Sequence, residues 1–589
     1  MKKLVLLFAL SAITISCKNN NANDKNAGKQ LAKILDNYWQ ERMQLFPVEA
    51  TGYGDYRYND KLTITIAESF RDSLNRFYKK YLDEAQQIDT ASLDKNDFLS
   101  YRLFSYEMQS AIDGLKFPTH YLPINQFWSF TIDLAQLGSG QGNQPFKSVK
   151  DYDDFLKRLS VFPAWADTAI YNMRKGMSVG WVLPKTLVVK ILPQLKDIVA
   201  ANDTANIFYA PLKTMPDSFS AETKQRLTAA YTKAIDSIVN PTYTKLHDFF
   251  EKEYLPKSRE SSGISNLPNG KEYYLYCVRT WTTTDLTPDS IYQIGLSEVA
   301  RIEGEMNKIK EQVGFKGDMQ SFFTYLNTDK QFFPFTKPQQ IIDSFWGIKK
   351  MEDPQLKKLF NTVPKSKFTI RQTEAFRAAS ASAEYNQPSE DGSRPGIFYV
   401  PILDATKYNA TGMTTLFLHE AIPGHHYQIS LQQENKNLPA FRRFLWYGAY
   451  GEGWAHYCET LGKELGVYND PYQYFGHLSD GILRAVRLVV DVGVHYKGMT
   501  REDAIKYMRA HILISEQDAT SEIERYMAIP AQAVCYKIGQ MTISGERKQY
   551  EQQFGNKFNI ASFHDEVLKD GCVPLNVLHE KMKEWAGKQ

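Results

Sequence analysis

The sequence predicts a mainly α-helical body with a cleft and a small β-sheet near the functional residues. Three observations carry that expectation. Apolar residues recur at helical spacing through most of the chain, and helix-start signals repeat along it. Segments with clean two-residue alternation are few. The 589 residues can bury a large core, and an aromatic content of 13% suits a packed body with a peptide-sized or apolar cleft. A formal net charge of +3 without a clustered basic footprint argues against nucleic acid as a partner.

The N-terminus is the first element to read. Lys2 and Lys3 precede an apolar stretch, Leu4 to Ile15, that is too short to span a bilayer as a stable helix. It closes on Ile15-Ser16-Cys17, which resembles the lipobox of bacterial lipoproteins, where the cysteine becomes the lipidated first residue. Residues 1–17 are therefore expected to be a lipoprotein signal peptide, and the polar, Asn-rich residues 18–29 a flexible tether. Residues 30–589 are expected to form a single large helical domain. A two-lobed arrangement flanking a cleft is compatible with it, divided nearest the loop-like stretch from Glu260 to Gly270. No later segment reads as membrane-spanning. The expected location is the cell envelope, with membrane association through lipidated Cys17 only.

Within that domain, Leu31, Ile34, Leu35, Tyr38 and Trp39 predict an opening amphipathic helix. Thr287-Pro288 reads as an N-cap and first-turn proline ahead of Ile291, Ile294, Val299 and Ile302. Gly396 to Ile402 (GIFYVPI) is the best strand candidate, and Pro401 argues for an edge or a strand end. Thr500 with Asp503 resembles a capping box before Ile505 and Met508. Cys277, Cys458, Cys535 and Cys572 lack the paired spacing of a zinc ribbon and read as buried residues.

Chemistry is concentrated in one region. The chain has 11 histidines, yet His419, His425, His426 and His456 fall close together, with Glu420 directly after the first. Catalytic zinc sites commonly combine two imidazoles with one carboxylate and leave a position open for water. In the usual His-Glu-x-x-His helix the imidazoles are four apart on one face, and the glutamate is general base. Here Pro423 stands four residues after His419 and cannot bind metal. On a regular helix the residue six on points roughly 120° away, and the residue seven on lies about 10.5 Å along the axis. Pro423-Gly424 makes a regular helix an unlikely carrier, and a bulge or tight turn would return His425 to the second-ligand position. His426 is the competing choice. Glu452, His456 and Glu459, spaced by four and three, share a helical face. Glu452 suits the third ligand, while His456 and Glu459 are alternative ligands or groups that orient the ligands. One zinc ion fits this mixed nitrogen and oxygen set, with manganese and cobalt left open.

At these residues the chain resembles a family. HEAIPGHHYQ, GEGWAHYCE, DGSRPGIFYVP and PAQAVCYKIG look like the bacterial domain-of-unknown-function family 885, and the likeness begins at FPVEATGYGDYRYND. That family is largely uncharacterised and is regarded as a metallopeptidase group related to the mainly helical gluzincins. A local similarity to angiotensin-converting-enzyme-type peptidases runs through Gly424-His425, Leu438-Pro439, Arg442-Arg443 and Glu452 in the same order. It implies His419, His425 and Glu452 as zinc ligands and Glu420 as the base.

The resulting expectation is a zinc-dependent hydrolase of short peptides, with Tyr536 donating to the developing oxyanion. Carboxypeptidase, dipeptidase and oligopeptidase activity all remain open. Candidates for holding substrate are Lys537, Arg484 and Arg487 for a carboxylate, His495 on the Arg487-Asp491-His495 face, and Tyr399. Tyr399 lies in the GIFYVPI strand, which could pair with an extended substrate backbone. Two other readings stand beside this one: an amidase or esterase on a non-peptide substrate, and a non-catalytic binding lipoprotein. The base at Glu420 argues against the latter, since binding alone needs none.

Overall fold

Leu31, Leu35 and Tyr38 are buried along one side of the opening helix α1 (Asn20–Leu45), as their spacing predicts. A computed structural model describes residues 20–199, 203–373, 378, 382–390, 392 and 394–589. The signal segment, the Cys17 lipobox, Lys18, and Asp391 and Ser393 of the DGSRPGIFYVP motif lie outside the described residues. The stretch expected as a tether is helical from Asn20 onward. Its polar composition hid two packing positions: Ala27 is buried, and a Cβ on Gly28 would lie 2.5 Å from the Asp97 carboxylate.

Helix α1 does not belong to a separate N-terminal lobe. Tyr38 packs edge-on against Phe104 at 5.0 Å, on α2 (Lys95–Gly114), and Phe104 in turn meets Phe441 at 5.5 Å. Trp39 stacks on Phe444 at 5.4 Å. One apolar core thus joins the first helices to the C-terminal region. The helices between Ile124 and Tyr254 carry a second core of their own, ending just before the loop-like stretch at Glu260–Gly270. A third core gathers around α3 (Pro288–Gln312), which begins at the predicted cap, with the Thr287 side chain accepting from Ser290 N–H.

After α4 (Pro338–Leu359) comes the only sheet among the described residues: β1 (Phe368–Gln372), β2 (Glu384–Asn386) and β3 (Gly396–Val400), in the order β1-β3-β2. β3 runs parallel to β1 and antiparallel to β2, with Tyr399 opposite Arg371 and Glu384. The GIFYVPI strand is therefore central and buried throughout, not an edge, and it ends where Pro401 would break the ladder. Because β1 and β2 occupy both of its sides, it cannot accept an added substrate strand, and that expectation is corrected. Phe398 packs on Phe345 of α4 at 5.1 Å.

Five further helices build the site: α5 (Met413–Glu420), α6 (His425–Glu434), α7 (Gly448–Glu459), α8 (Pro471–Tyr496) and, beyond α9 (Glu516–Ala528), α10 (Cys535–Phe554). Every residue of α8 from Ala485 to His495 is buried, so this helix runs through the interior. Helices α7 and α10 pack backbone to backbone. A Cβ on Gly453 would lie 2.5 Å from Gly539 Cα, and one on Gly539 would lie 1.7 Å from Ala449 O. The helix after α8 starts at Thr500, whose side chain accepts from Asp503 N–H. Its hydroxyl also donates to the Asp503 carboxylate at 2.6 Å. Among the described residues no helix is long and apolar enough to cross a membrane.

Candidate metal centre

Helix α5 ends at Glu420, and α6 begins at His425, so the motif is two helices and a turn. The Ile422–Pro423 peptide bond in that turn is cis. The turn folds back on α5 because Gly424 lies against its last backbone carbonyls: a Cβ there would sit 1.9 Å from His419 O and 2.4 Å from Leu418 O. Helix α7 holds the turn from the other side. Trp454 Nε1 donates to Pro423 O at 2.9 Å, and the Cys458 thiol reaches the same oxygen at 3.4 Å.

The fold-back brings His425 to His419, with ring centres 4.8 Å apart and planes at 89°. Glu452 closes the group, its Oε2 lying 3.6 Å from His419 Nε2 and 3.3 Å from His425 Nε2. One ligand atom from each of the three lies within 4.8 Å of the others. Lone pairs of two imidazoles and a carboxylate converging this closely need protons or a cation between them. The donor set fits a divalent metal ion.

Glu459 sits behind His419, fully buried, and accepts from its Nδ1 at 2.7 Å. A carboxylate on the remote nitrogen fixes the tautomer that presents Nε2 as a donor atom. Burial alone would raise the Glu459 carboxyl. The charge of Arg484 and the hydrogen bond from His419 instead hold it well below the usual carboxylate range. Burial opposes a charge on His419, but hydrogen bonds to Glu452 and Glu459 push it up to about 10. Glu420 is buried beside both imidazoles, and that burial raises its carboxyl above the ordinary value.

The matching family model, "Bacterial protein of unknown function (DUF885)", covers residues 47–582. The chain belongs to the DUF885 family. No curated protein matches it. The crystal structure of a "putative lipoprotein" from Colwellia psychrerythraea superposes with a TM-score of 0.90 at 29% identity, covering 96% of this chain and 100% of that one. A "putative lipoprotein of unknown function" from Shewanella oneidensis shares the fold at a TM-score of 0.72 and 20% identity, covering 94% and 99%.

In this DUF885 chain the remaining candidates divide sharply. His426 points away from the group: its Nδ1 meets Tyr385 OH at 2.9 Å, its ring lies 4.6 Å from Phe368, and burial drives it down to about 4. It is a packing histidine between α6 and the sheet, and the competing ligand assignment is corrected. His456 is buried, with Nδ1 3.0 Å from Glu459 Oε2, but neither ring nitrogen has a partner in hydrogen-bonding geometry. Burial holds it near 3, so it lies beside Glu459 as a neutral ring outside the converging group.

The expected substrate-binding face of α8 is structural. Asp491 accepts from Tyr274 OH and Ala531 N–H, and His495 bonds Ile264 N–H and Tyr526 O. Both are fully buried and fully engaged, which removes His495 as a substrate contact. Lys537 is buried in an ion pair with Glu298 at 3.0 Å and is removed likewise. Arg484 pairs with Asp480 at 2.5 Å beneath Glu459. Tyr399 is buried in the central strand. Arg487 lies 4.9 Å over the Tyr536 ring and bonds Tyr526 OH and Glu522.

Tyr536 is brought to the centre. Its ring lies parallel to His419, 6.5 Å away at 16°, and its hydroxyl is reached by Arg525 at 3.4 Å and Gln532 at 3.3 Å. Two donors on that oxygen leave its own proton to give. Sequence reasoning missed Arg525 and Trp446, the latter 5.8 Å from His425. Arg525 reads as an ordinary helical ion pair with Glu522 three residues earlier, and an isolated tryptophan carries no signal.

Proposed function

We propose that this DUF885 chain is a metal-dependent hydrolase of the bacterial cell envelope that cleaves short peptides. Zinc would be held by His419, His425 and Glu452. The observation that carries the reading is the convergence of those three side chains, with Glu459 bound to the far nitrogen of His419. When bound, the metal supplies Lewis acidity, which lowers the pKa of water and polarises a carbonyl. Glu420, next to His419 and buried, accepts the proton of the attacking water and returns it to the leaving nitrogen. Tyr536 donates its hydroxyl proton as a hydrogen bond to the carbonyl oxygen while negative charge gathers there. Lipidation at Cys17 anchors the chain at the envelope, a reading supported by the names of both structural relatives.

The test pairs metal analysis with one substitution. Purified protein should carry one metal ion per chain, and Glu420→Gln should keep that ion while losing hydrolysis of a peptide library. A protein without stoichiometric metal removes the metal reading. Hydrolysis that survives in Glu420→Gln removes the base.

A further inference from the structure

Beside Tyr536, two guanidinium groups share one carboxylate. Arg487 of α8 and Arg525 of α9 pair with Glu522 at 2.9 and 3.6 Å. The neighbouring Glu524 carboxylate is already taken by Arg501 at 2.7 Å. One positive charge is therefore left over in the wall of the site. Arg487 is engaged along its length, bonding Tyr526 and Glu522. Arg525 is not. It donates to Gln532 Oε1 at 3.0 Å and reaches Tyr536 OH, while its Nε is buried without a hydrogen-bond partner. The Arg525 side chain keeps 13% of its surface exposed, so its guanidinium can still be reached by an acceptor on a ligand.

A short loop bends over this arginine. Asn125 Oδ1 accepts from Phe127 N–H and Trp128 N–H, and Gln126 Nε2 ties the loop to Glu524 O at 2.9 Å. The Phe127 ring lies 5.1 Å from the Arg525 guanidinium, Trp128 follows at 6.1 Å, and Trp128 meets Trp281 at 6.3 Å. Trp281, near the end of the helix Gly270–Thr282, packs against the start of α7, where a Cβ on Gly448 would touch its ring at 2.8 Å. Phe127 is 37% exposed and Trp128 is 55% exposed. Large aromatic rings left in water next to a site with converging polar groups mark a binding surface.

We propose that Arg525, with Gln532, binds the free C-terminal carboxylate of the substrate, and that Phe127, Trp128 and Trp281 receive the apolar side chain beside it. The proposal rests on the peptidase reading and deepens it. It names the substrate as a short peptide with a free carboxyl terminus and a large apolar terminal residue. A guanidinium fork matches a carboxylate in two parallel hydrogen bonds, which an uncharged amide cannot reproduce.

The test is equilibrium binding of N-acetyl-L-phenylalanine and of its amide to the full chain, followed by tryptophan fluorescence with and without EDTA. EDTA separates recognition by Arg525 from ligation of a metal by the probe. The acid should bind about tenfold or more tighter than the amide in both conditions, the worth of a charge-assisted hydrogen bond. Arg525→Met should erase that difference, and Arg525→Lys should restore part of it. Trp128→Ala, at an exposed position, should weaken acid and amide alike. Equal binding of acid and amide to the unsubstituted chain overturns the proposal, as does an acid preference that survives Arg525→Met. If Arg525→Met does not fold, Arg525→Lys and Trp128→Ala decide the matter by the same comparison. Acid preference at Arg525 in a chain without stoichiometric metal would sink the peptidase reading and leave the carboxylate site. Stoichiometric metal with equal binding would do the reverse.

Discussion

Gly424→Ala tests the geometry on which the centre depends. The new methyl would lie 1.9 Å from His419 O and 2.4 Å from Leu418 O, where contacts under 3.0 Å are essentially never seen. The turn and the end of α5 must then separate by about 1 Å, because both sides of the clash are backbone and no rotamer can relieve it. Such overpacking costs about 1–3 kcal/mol. The larger effect falls on the ligands. Metal–ligand distances tolerate shifts of about 0.2 Å, so a separation near 1 Å between His419 and His425 leaves one of them out of reach. Zinc affinity should fall at least about 100-fold, measured by competition with a chromophoric chelator, with unfolding in EDTA measured alongside. Gly304→Ala in α3 is the control: nothing lies within 4 Å of its Cβ, and the helix should gain about 0.5–1 kcal/mol. If Gly424→Ala stays folded and binds zinc within about threefold of the parent, the close approach at Gly424 does not position His425.

Three other outcomes follow from the same geometry. His425→Gln should lose stoichiometric metal while His426→Gln keeps it, read by elemental analysis of the two purified variants. Glu459→Ala removes the acceptor on His419 Nδ1 and should weaken zinc binding about 10–100-fold in a chelator competition. The pH dependence has a definite sign. His419 in the metal-free fold is raised from 6.5 to about 10, so the stability it contributes is fully present below pH 6.5 and lost as pH rises through about 10. A bound cation replaces that proton, so zinc affinity should rise with pH across this window with proton release, measured by calorimetry in buffers of differing ionisation enthalpy. Affinity that stays flat with pH would contradict it.

The helical class and several helix starts were legible because they depend on local chemistry, as the caps at Thr287 and Thr500 do. The residues that converge, His419, His425 and Glu452, were named from the sequence, with His425 preferred and His426 kept as the competing choice. Adjacent imidazoles are identical in composition, and what separates them is the turn that seats Gly424 against the α5 carbonyls of His419 and Leu418, a backbone shape that residue types alone do not specify. The shared face of Arg487, Asp491 and His495 was read correctly, with a structural network and a substrate site equally open, and spacing could not decide between them because it gives direction and not depth. The polar residues after Asn20 looked like a tether because composition does not reveal that Ala27 has a partner to pack on. Arg525 gave no signal because an arginine three residues after Glu522 reads as a surface ion pair, and the Phe127 ring over it comes from far along the chain.

The seven-residue spacing of Glu452 and Glu459 has a meaning that a face argument alone does not capture. Two helical turns separate their backbones by about 10.5 Å along α7, and the His419 ring lies between the two carboxyls, Nε2 toward one and Nδ1 toward the other. Glu452 is also met by His425 Nε2 at 3.3 Å, so the two buried carboxylates share two imidazoles, and an imidazole offsets a carboxylate only when it carries a proton. Arg484 relieves this only in part, because it stands 4.0 Å from Glu459 and shares its charge with Asp480 at 2.5 Å. Uncompensated charge in a buried setting costs several kcal/mol per ion. In the proposed metal-bound state a divalent cation at Nε2 would take the place of a proton there and offset the carboxylates on α7. Charge balance around Glu452 and Glu459 thus supports the proposed metal alongside the convergence of the three side chains.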